Sequence, residues 1–260
     1  MQHFKTLLTA FVIVFTIARC KKEKITEPVP APFVSGKLLK QIDILYSNGN
    51  TYFYKFNYDV QKRVIGSESK EDIITQSYPD GKIEVTEFRK SLNRIVGQTT
   101  ANIGSTGKVY KQTGEYNYNG TPFNSITDVE YDNSGYPVSV VETRNDGSIA
   151  KYEYTIQNGN IIKIKHSFNG AEVYTDSFEY YADKSDKINI VNVYFSTYWV
   201  QNEFGKKSVN MIKSRKTTYP GTSSVNTLDY SYEIDAQGYI IKANVIHSNG
   251  LSRTETYTWQ

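Results

Sequence analysis

Tight-turn dipeptides punctuate the chain at near-regular intervals, and this spacing constrains the fold more than any other feature. The pairs are Asn48-Gly49, Asp80-Gly81, Asn119-Gly120, Asp146-Gly147, Asn158-Gly159, Asn169-Gly170 and Asn249-Gly250. Asn-Gly and Asp-Gly accept the positive φ of a type I′ turn, whose twist matches antiparallel strands, so each pair predicts a hairpin. Gly135, Gly147, Gly159 and Gly170 follow one another at intervals of 12, 12 and 11, and Gly238 and Gly250 again lie 12 apart. About nine or ten residues remain for each strand between two-residue turns.

From Lys37 onward the apolar residues alternate, and no window holds a 3.6-residue period. Tyr52, Tyr54, Phe56 and Tyr58 occupy every second position. Tyr152 with Tyr154, Phe178 with Tyr180, Tyr230 with Tyr232, and Tyr257 with Trp259 repeat the arrangement. Residues two apart on a strand share one face, and aromatic and β-branched side chains suit a pleated, half-buried surface. The body, residues 37–260, is therefore a single all-β repeat domain. Roughly 220 residues at about 12 per hairpin arm give well over ten strands, more than a twisted open sheet carries without curling or splitting. The expectation is an antiparallel meander of repeated β-hairpins curled into a half-barrel or wrapped sheet, with a two-sheet sandwich as the alternative. The stretches 103–113 and 204–226, rich in Gly, Ser, Thr and Lys, read as long loops or irregular edges.

A longer unit appears when an aromatic before each turn is the anchor. A β-branched residue follows six to eight positions later at Tyr58 to Val64, Phe88 to Ile95, Tyr131 to Val138, Tyr154 to Ile161, Tyr181 to Ile188 and Tyr232 to Ile240. These are degenerate internal repeats. Tyr58-Asp59 and Tyr131-Asp132-Asn133-Ser134-Gly135, with Tyr152-Glu153-Tyr154 downstream, resemble the YD repeats of the RHS family. That resemblance covers about residues 128–164 well and implies architecture alone, an extended or shell-like sheet of tyrosine-rich hairpins.

The chain opens on an export pattern. Lys5 precedes the apolar run Leu7 to Ile17, which is too short to span a bilayer as a helix, so residues 1–19 read as a signal peptide. Cys20 follows in Ile17-Ala18-Arg19-Cys20-Lys21-Lys22, which resembles the lipobox of bacterial lipoproteins, with Arg19 where a small residue is usual. The resemblance implies lipidation of Cys20. Residues 20–36 carry Pro28, Pro30 and Pro32, favouring an extended, semi-rigid tether. Tether and hairpins together resemble repeat-bearing lipoproteins of the Bacteroidota, implying a cell-envelope protein lipid-anchored at the outer membrane, with either face open.

Charge and residue counts exclude several chemistries. The net charge is +3, of which Lys5 and Arg19 carry two and residues 20–36 carry one, so the body is neutral. A neutral body argues against a nucleic-acid partner, which needs a basic field. One Cys and three His leave no multi-cysteine or histidine metal cluster, and no cofactor motif occurs. Asp128, Glu130 and Asp132 alternate, but Asp132 and Gly135 fit a turn. Glu84 with Glu87, and Glu68 with Glu71 and Asp72, are candidate glycosidase pairs, but the reading preferred for them is a charged, solvated strand edge. His166 and His247, each beside a Ser, occupy equivalent places in two repeats, without a nucleophile elbow.

The aromatic stripe carries the functional expectation. Tyr52, Tyr54, Tyr58, Tyr152, Tyr154, Trp199 and Trp259 either form a platform that stacks on sugar rings or docks a protein, or build a cross-strand ladder on the concave face. The reading is a monomeric, non-catalytic binding or structural module, tethered to a membrane and taking a glycan or an envelope protein. The opposing reading is an envelope hydrolase using carboxylates on the concave face.

Overall fold

A computed structural model of the chain describes residues 36–118, 120–188, 191–192, 199–200 and 203–260. The expected signal peptide, Cys20 and all of the tether except Gly36 lie outside the described residues. The alternating segments are strands: β1 (Leu39–Tyr46), β2 (Thr51–Tyr58), β3 (Val64–Ser69), β4 (Asp72–Ser77), β5 (Lys82–Arg89) and β6 (Arg94–Ile103). There follow β7 (Val109–Tyr116), β8 (Phe123–Tyr131), β9 (Pro137–Arg144), β10 (Ile149–Gln157), β11 (Asn160–Phe168) and β12 (Ala171–Ser185). The last are β13 (Val191–Asn192), β14 (Trp199–Val200), β15 (Asn210–Thr218), β16 (Val225–Ile234), β17 (Ile240–His247) and β18 (Ser252–Trp259).

Except for the small β13–β14 pair, all strands form one antiparallel sheet in which β1 meets β18, closing a barrel of sixteen strands. This corrects the expected half-barrel, wrapped sheet or sandwich. An open meander leaves two edges of unpaired backbone groups, and closure satisfies both. Along the seam Ile42 faces Tyr257 and Ile44 faces Glu255. Leu38 and Gln260 extend it by exchanging two backbone hydrogen bonds of 2.8 and 2.9 Å.

The hairpins divide between two ends. Among the described residues only Asn158-Gly159 and Asn169-Gly170 have both φ angles positive, as a type I′ turn requires. At Asn48-Gly49, Asp146-Gly147 and Asn249-Gly250 only the glycine is left-handed. There the Asn or Asp side chain accepts from the backbone N–H two residues on, at 3.1, 2.9 and 3.1 Å, which stabilises a wider turn. At the end where the chain enters, Asp59, Asp132 and Asp235 each accept from the backbone N–H four residues later, at 2.9 Å in all three turns.

The repeated aromatics have a shared structural task. Register shifts lie beside Leu39, Val64, Val109, Ile161, Ile212 and Ile240. A bulge interrupts the ladder and leaves a carbonyl to satisfy. Tyr58, Tyr131, Tyr180 and Tyr232 donate their hydroxyls to Leu39, Val109, Ile161 and Ile212 O at 2.6, 2.7, 2.6 and 2.9 Å. Tyr78 does the same for Val64 at 2.8 Å, and Trp259 Nε1 for Ile240 at 2.7 Å. The spacing from aromatic to β-branched residue spans a bulged hairpin in five of the six places, the exception being Tyr181 to Ile188, which runs from β12 into the connection that follows it.

The expected long loops are largely strand: β7 occupies 109–116 and β15 occupies 210–218. The long connection is instead 186–209. Its last part crosses the entry end, where Val109 N–H donates to Glu203 O, Lys206 N–H to Gly135 O, and Val209 N–H to Gly159 O, at 2.7, 2.9 and 3.1 Å. Phe204 drops into the barrel against Ile74, Val85, Ala101, Val129 and Val140. Gly205 lies so close to the wall that a Cβ would stand 2.7 Å from the Tyr131 ring. We call this the closed end and the opposite one the open end.

Burial pushes the Tyr54, Tyr152 and Tyr180 phenols up to about 12 and raises Tyr78, Tyr131 and Tyr232 as well. Unfolded tyrosines ionise near about 10, so the unfolded state holds fewer protons above that pH. The stabilisation is complete below pH about 10 and lost as pH rises towards about 12. Alkaline titration followed by tyrosinate absorbance should show a late step coincident with loss of β circular dichroism; independent early ionisation of most tyrosines would contradict this packing.

Candidate functional site

Alternation gives the barrel wall two unlike faces. In the closed half the inner face is apolar, with Leu39, Ile42, Phe56 and Val64 in one cluster and Ile83, Val109 and Phe204 among those of another. Outside, the wall carries Thr, Ser, Lys and Glu, with single exposed aliphatics such as Leu45, Ile65, Ile126 and Ile241 among them. Lys111 faces Asp128 at 4.0 Å, Lys151 faces Glu153 at 2.8 Å, Lys213 faces Glu179 at 3.8 Å and Lys242 faces Glu233 at 2.9 Å, all exposed. On the lipid face of a membrane barrel each midplane Lys costs about 2–4 kcal/mol. Exposed pairs of this kind suit a wall in contact with water.

Arginine goes the other way. Arg89, Arg144, Arg215 and Arg253 all stand on the inner face towards the open end, each on a carboxylate. Arg89 meets Asp72 at 2.8 Å and Glu87 at 3.2 Å; Arg144 meets Glu142 at 3.5 Å. Arg215 meets Asp176 and Arg253 meets Glu255, both at 2.7 Å. The planar, weakly hydrated guanidinium suits such partly enclosed pairs, whereas lysine suits the wet wall.

These pairs are interleaved with aromatic rings. His166 lies between Tyr152 and Tyr174, with ring centroids 4.5 and 4.8 Å away. Its Nδ1 is buried without a hydrogen-bond partner, and burial holds its pKa below the usual histidine value. Tyr116 lies near-parallel to Phe123 at 5.1 Å, and its ring fills the space where a Cβ of Gly114 would stand. His247 Nε2 is 3.1 Å from Arg253 Nη1, an arrangement that needs the neutral imidazole as acceptor; burial and then the Arg253 charge lower its pKa. Arg253 Nε donates to Glu255 at 2.7 Å, and Tyr257 donates to the other oxygen of Glu255 at 2.6 Å.

Beside these groups a cavity of about 440 Å³ opens on the inner side of β12, β15, β16 and β17, lined by Tyr174, Arg215, Tyr219, Asn226, Leu228 and His247 among others. Asp176 is fully buried behind it and accepts from Arg215 Nη2 at 2.7 Å and from Thr217 Oγ1 at 2.5 Å, which fixes the guanidinium. Asn226 Nδ2 donates to Tyr219 Oη at 3.2 Å. The volume falls in the range of small-ligand sites, and the lining offers ring faces with fixed donors and acceptors. A second hollow, on the outer wall over β5–β8, has Glu84, Thr86, Gln98, Thr113 and Glu115 on its lining and no aromatic ring.

The predicted stripe lines the inner face. Tyr52 stands towards the open end, its ring centroid 5.2 Å from that of Tyr54. Tyr54, Tyr58, Tyr152, Tyr154 and Trp259 all pack against the core clusters, Tyr54 and Tyr152 from the open side. Trp199 belongs to β14, and its side chain, like Cys20, lies outside the described residues. The acidic candidates separate: Glu84 faces outward, while Glu87 is buried and accepts from Tyr118 at 2.7 Å. Asp132 caps its turn, Glu68 binds Lys90 and Asp72 binds Arg89. Among the described residues no group of three His, Cys, Asp or Glu is placed to hold a metal. Sequence reasoning missed the arginines, although Glu87-x-Arg89, Glu142-x-Arg144 and Arg253-x-Glu255 put opposite charges on one strand face three times.

Asp176→Asn removes the countercharge of Arg215 in a partly enclosed site and should cost about 3 kcal/mol in urea unfolding. Glu153→Gln, on the exposed wall, should cost less than about 1 kcal/mol. Equal losses would contradict the assignment of inner and outer faces.

No protein-family model matches the chain, and no curated protein does. Solved structures do. A porin-like protein from Bacteroides uniformis superposes with a TM-score of 0.63 at 14% identity, over 85% of this chain and 98% of that one. A porin-like protein from Bacteroides vulgatus gives 0.64 at 13% identity, over 86% and 99%. At such identities the likeness concerns the fold, and the chain shares the closed all-β barrel architecture of these porin-like proteins.

Proposed function

We propose that the protein is a non-catalytic binding module of the cell envelope, a barrel standing in water whose open end holds a small neutral glycan. The observation that carries this reading is the inversion of the wall: aromatic rings and neutralised arginines inside, lysine, glutamate and threonine outside. A pore in a bilayer needs the opposite arrangement. The porin-like neighbours support an envelope setting, and the lipobox-like context of Cys20 supports a lipid anchor at the outer membrane.

The chemistry of the cup favours a polyhydroxylated ligand without net charge. Arg215 has its charge balanced by Asp176, His247 is held neutral by Arg253, and ring faces at Tyr174 and Tyr219 offer stacking. The inward carboxylates Glu87, Glu142, Asp176 and Glu255 each lie on an arginine, which argues against a pair poised for glycoside hydrolysis.

Calorimetric titration with neutral oligosaccharides of envelope polysaccharides should find a saturable ligand. Tyr174→Ala or Tyr219→Ala should weaken it about three- to tenfold, the range for one lost aromatic contact. Failure of every neutral glycan, or binding indifferent to both substitutions, would refute the cup as a glycan site. For the anchor, Cys20→Ser should end lipid labelling and move the protein to the soluble fraction after washing; retained label would refute lipidation at Cys20.

A further inference from the structure

Exposed aliphatic residues dot the outer wall, Ile65, Ile234 and Ile241 nearer the closed end among them, but at the open end they complete a circuit. Each of the eight hairpins at the open end carries an exposed aliphatic residue close to its turn. On the first four these are Leu45, Ile73, Ile95 and Ile126, at 53, 38, 51 and 44% exposure. On the other four they are Ile149, Val173, Val225 and Ile246, at 43, 40, 43 and 57%. Single exposed aliphatics are ordinary on a protein surface, but a complete circuit at one end is a different arrangement. At the closed end the β4–β5, β8–β9 and β10–β11 hairpins carry no such residue among the described residues.

Most cross-strand partners at this level are uncharged, although Ile73 also faces Glu68 and Ile246 also faces Asp229. Leu45 faces Thr51, Ile149 faces Thr143, Val225 faces Thr218 and Ile246 faces Ser252. Ile73 and Ile95 both face Phe88. Along β10 charge returns two residues from Ile149, with the Lys151–Glu153 pair. The apolar level is therefore about two residues deep, about 5 Å along a tilted strand.

We infer that this rim seats the open end of the barrel shallowly in a lipid surface. A protein partner or a second copy lying against the wall would cover one sector, whereas a fluid apolar layer meets a ring on all sides. The depth matches that of proteins lying in the headgroup and acyl boundary, about 5–10 Å. The chain outside the structure permits this orientation. From Cys20 to the closed end at Gly36 an extended tether reaches about 55 Å, and an eight-residue strand is about 27 Å long. A barrel tethered at one end therefore can still stand on its other end in the same bilayer. Seated in this way the mouth of the cup faces the bilayer, so seating and uptake of a free glycan are alternative states of the tethered barrel.

Closure of β1 on β18 gives residues 36–260 every strand partner they need, so this segment can be tested without tether or acyl chain. It should float with mixed vesicles of phosphatidylethanolamine and phosphatidylglycerol. The Leu45→Ser, Ile149→Ser, Ile246→Ser triple variant should reduce the floated fraction at least fivefold with unchanged circular dichroism. Ile65→Ser with Ile241→Ser, on the wall nearer the closed end, should float as the parent does. No flotation of the parent, or equal flotation of the rim variant, would overturn the inference. So would a lipid-free dimer that the rim variant dissolves, which would assign the ring to a second copy. Glycan titration of the rim variant should be unaffected, which separates this inference from the cup.

Discussion

Every feature of this molecule depends on the antiparallel pairing of its first strand with its last. Sixteen strands in an open meander would leave two unpaired edges and a sheet free to flatten, slip or join another chain. The β1–β18 seam removes the edges, and with them the freedom of each strand to choose which face looks inward. A one-residue slip would turn aromatic rings out and lysines in, so closure and alternation hold the register together.

Closure makes the inside of the barrel a separate solvent environment, and the sequence answers it by position along the axis. Near the closed end aliphatic residues and Phe204 fill the interior, and bulge carbonyls are met by tyrosine hydroxyls and the Trp259 indole. Near the open end the same alternating positions carry arginine–carboxylate pairs, histidines and tyrosines. A buried half supplies stability to a polar half that by itself would contribute little, because partly enclosed ion pairs repay little more than their desolvation. The polar, cavity-lining groups therefore sit at the end that packing does not need.

Much of the architecture was legible in the chain. The alternation of Tyr52, Tyr54, Phe56 and Tyr58 placed one strand and its inner face, and the aromatic to β-branched spacing marked, in five of its six places, hairpins that prove to be bulged. Closure was not legible, because pairing of residues near 42 with residues near 257 leaves no local pattern. The 186–209 connection was hidden by its strand-like composition. Within the site, the tyrosine stripe was visible but which of its rings pack against the core was not, since all of them share one period. Arg215 with Asp176 had no signal at all, being joined only across β12 and β15. The choice of Arg rather than Lys at positions two away from Glu was a signal of the inner face.

A wall that faces water, on a fold that resembles porin-like proteins, is the proposal on which the rest turns. Sedimentation velocity of residues 36–260 in detergent-free buffer, with circular dichroism and melting on the same sample, tests it most directly. The account predicts a discrete soluble species with β spectra and a cooperative melt. A protein that aggregates without detergent, and regains its fold only in micelles, would show that the wall belongs in lipid and contradict the account.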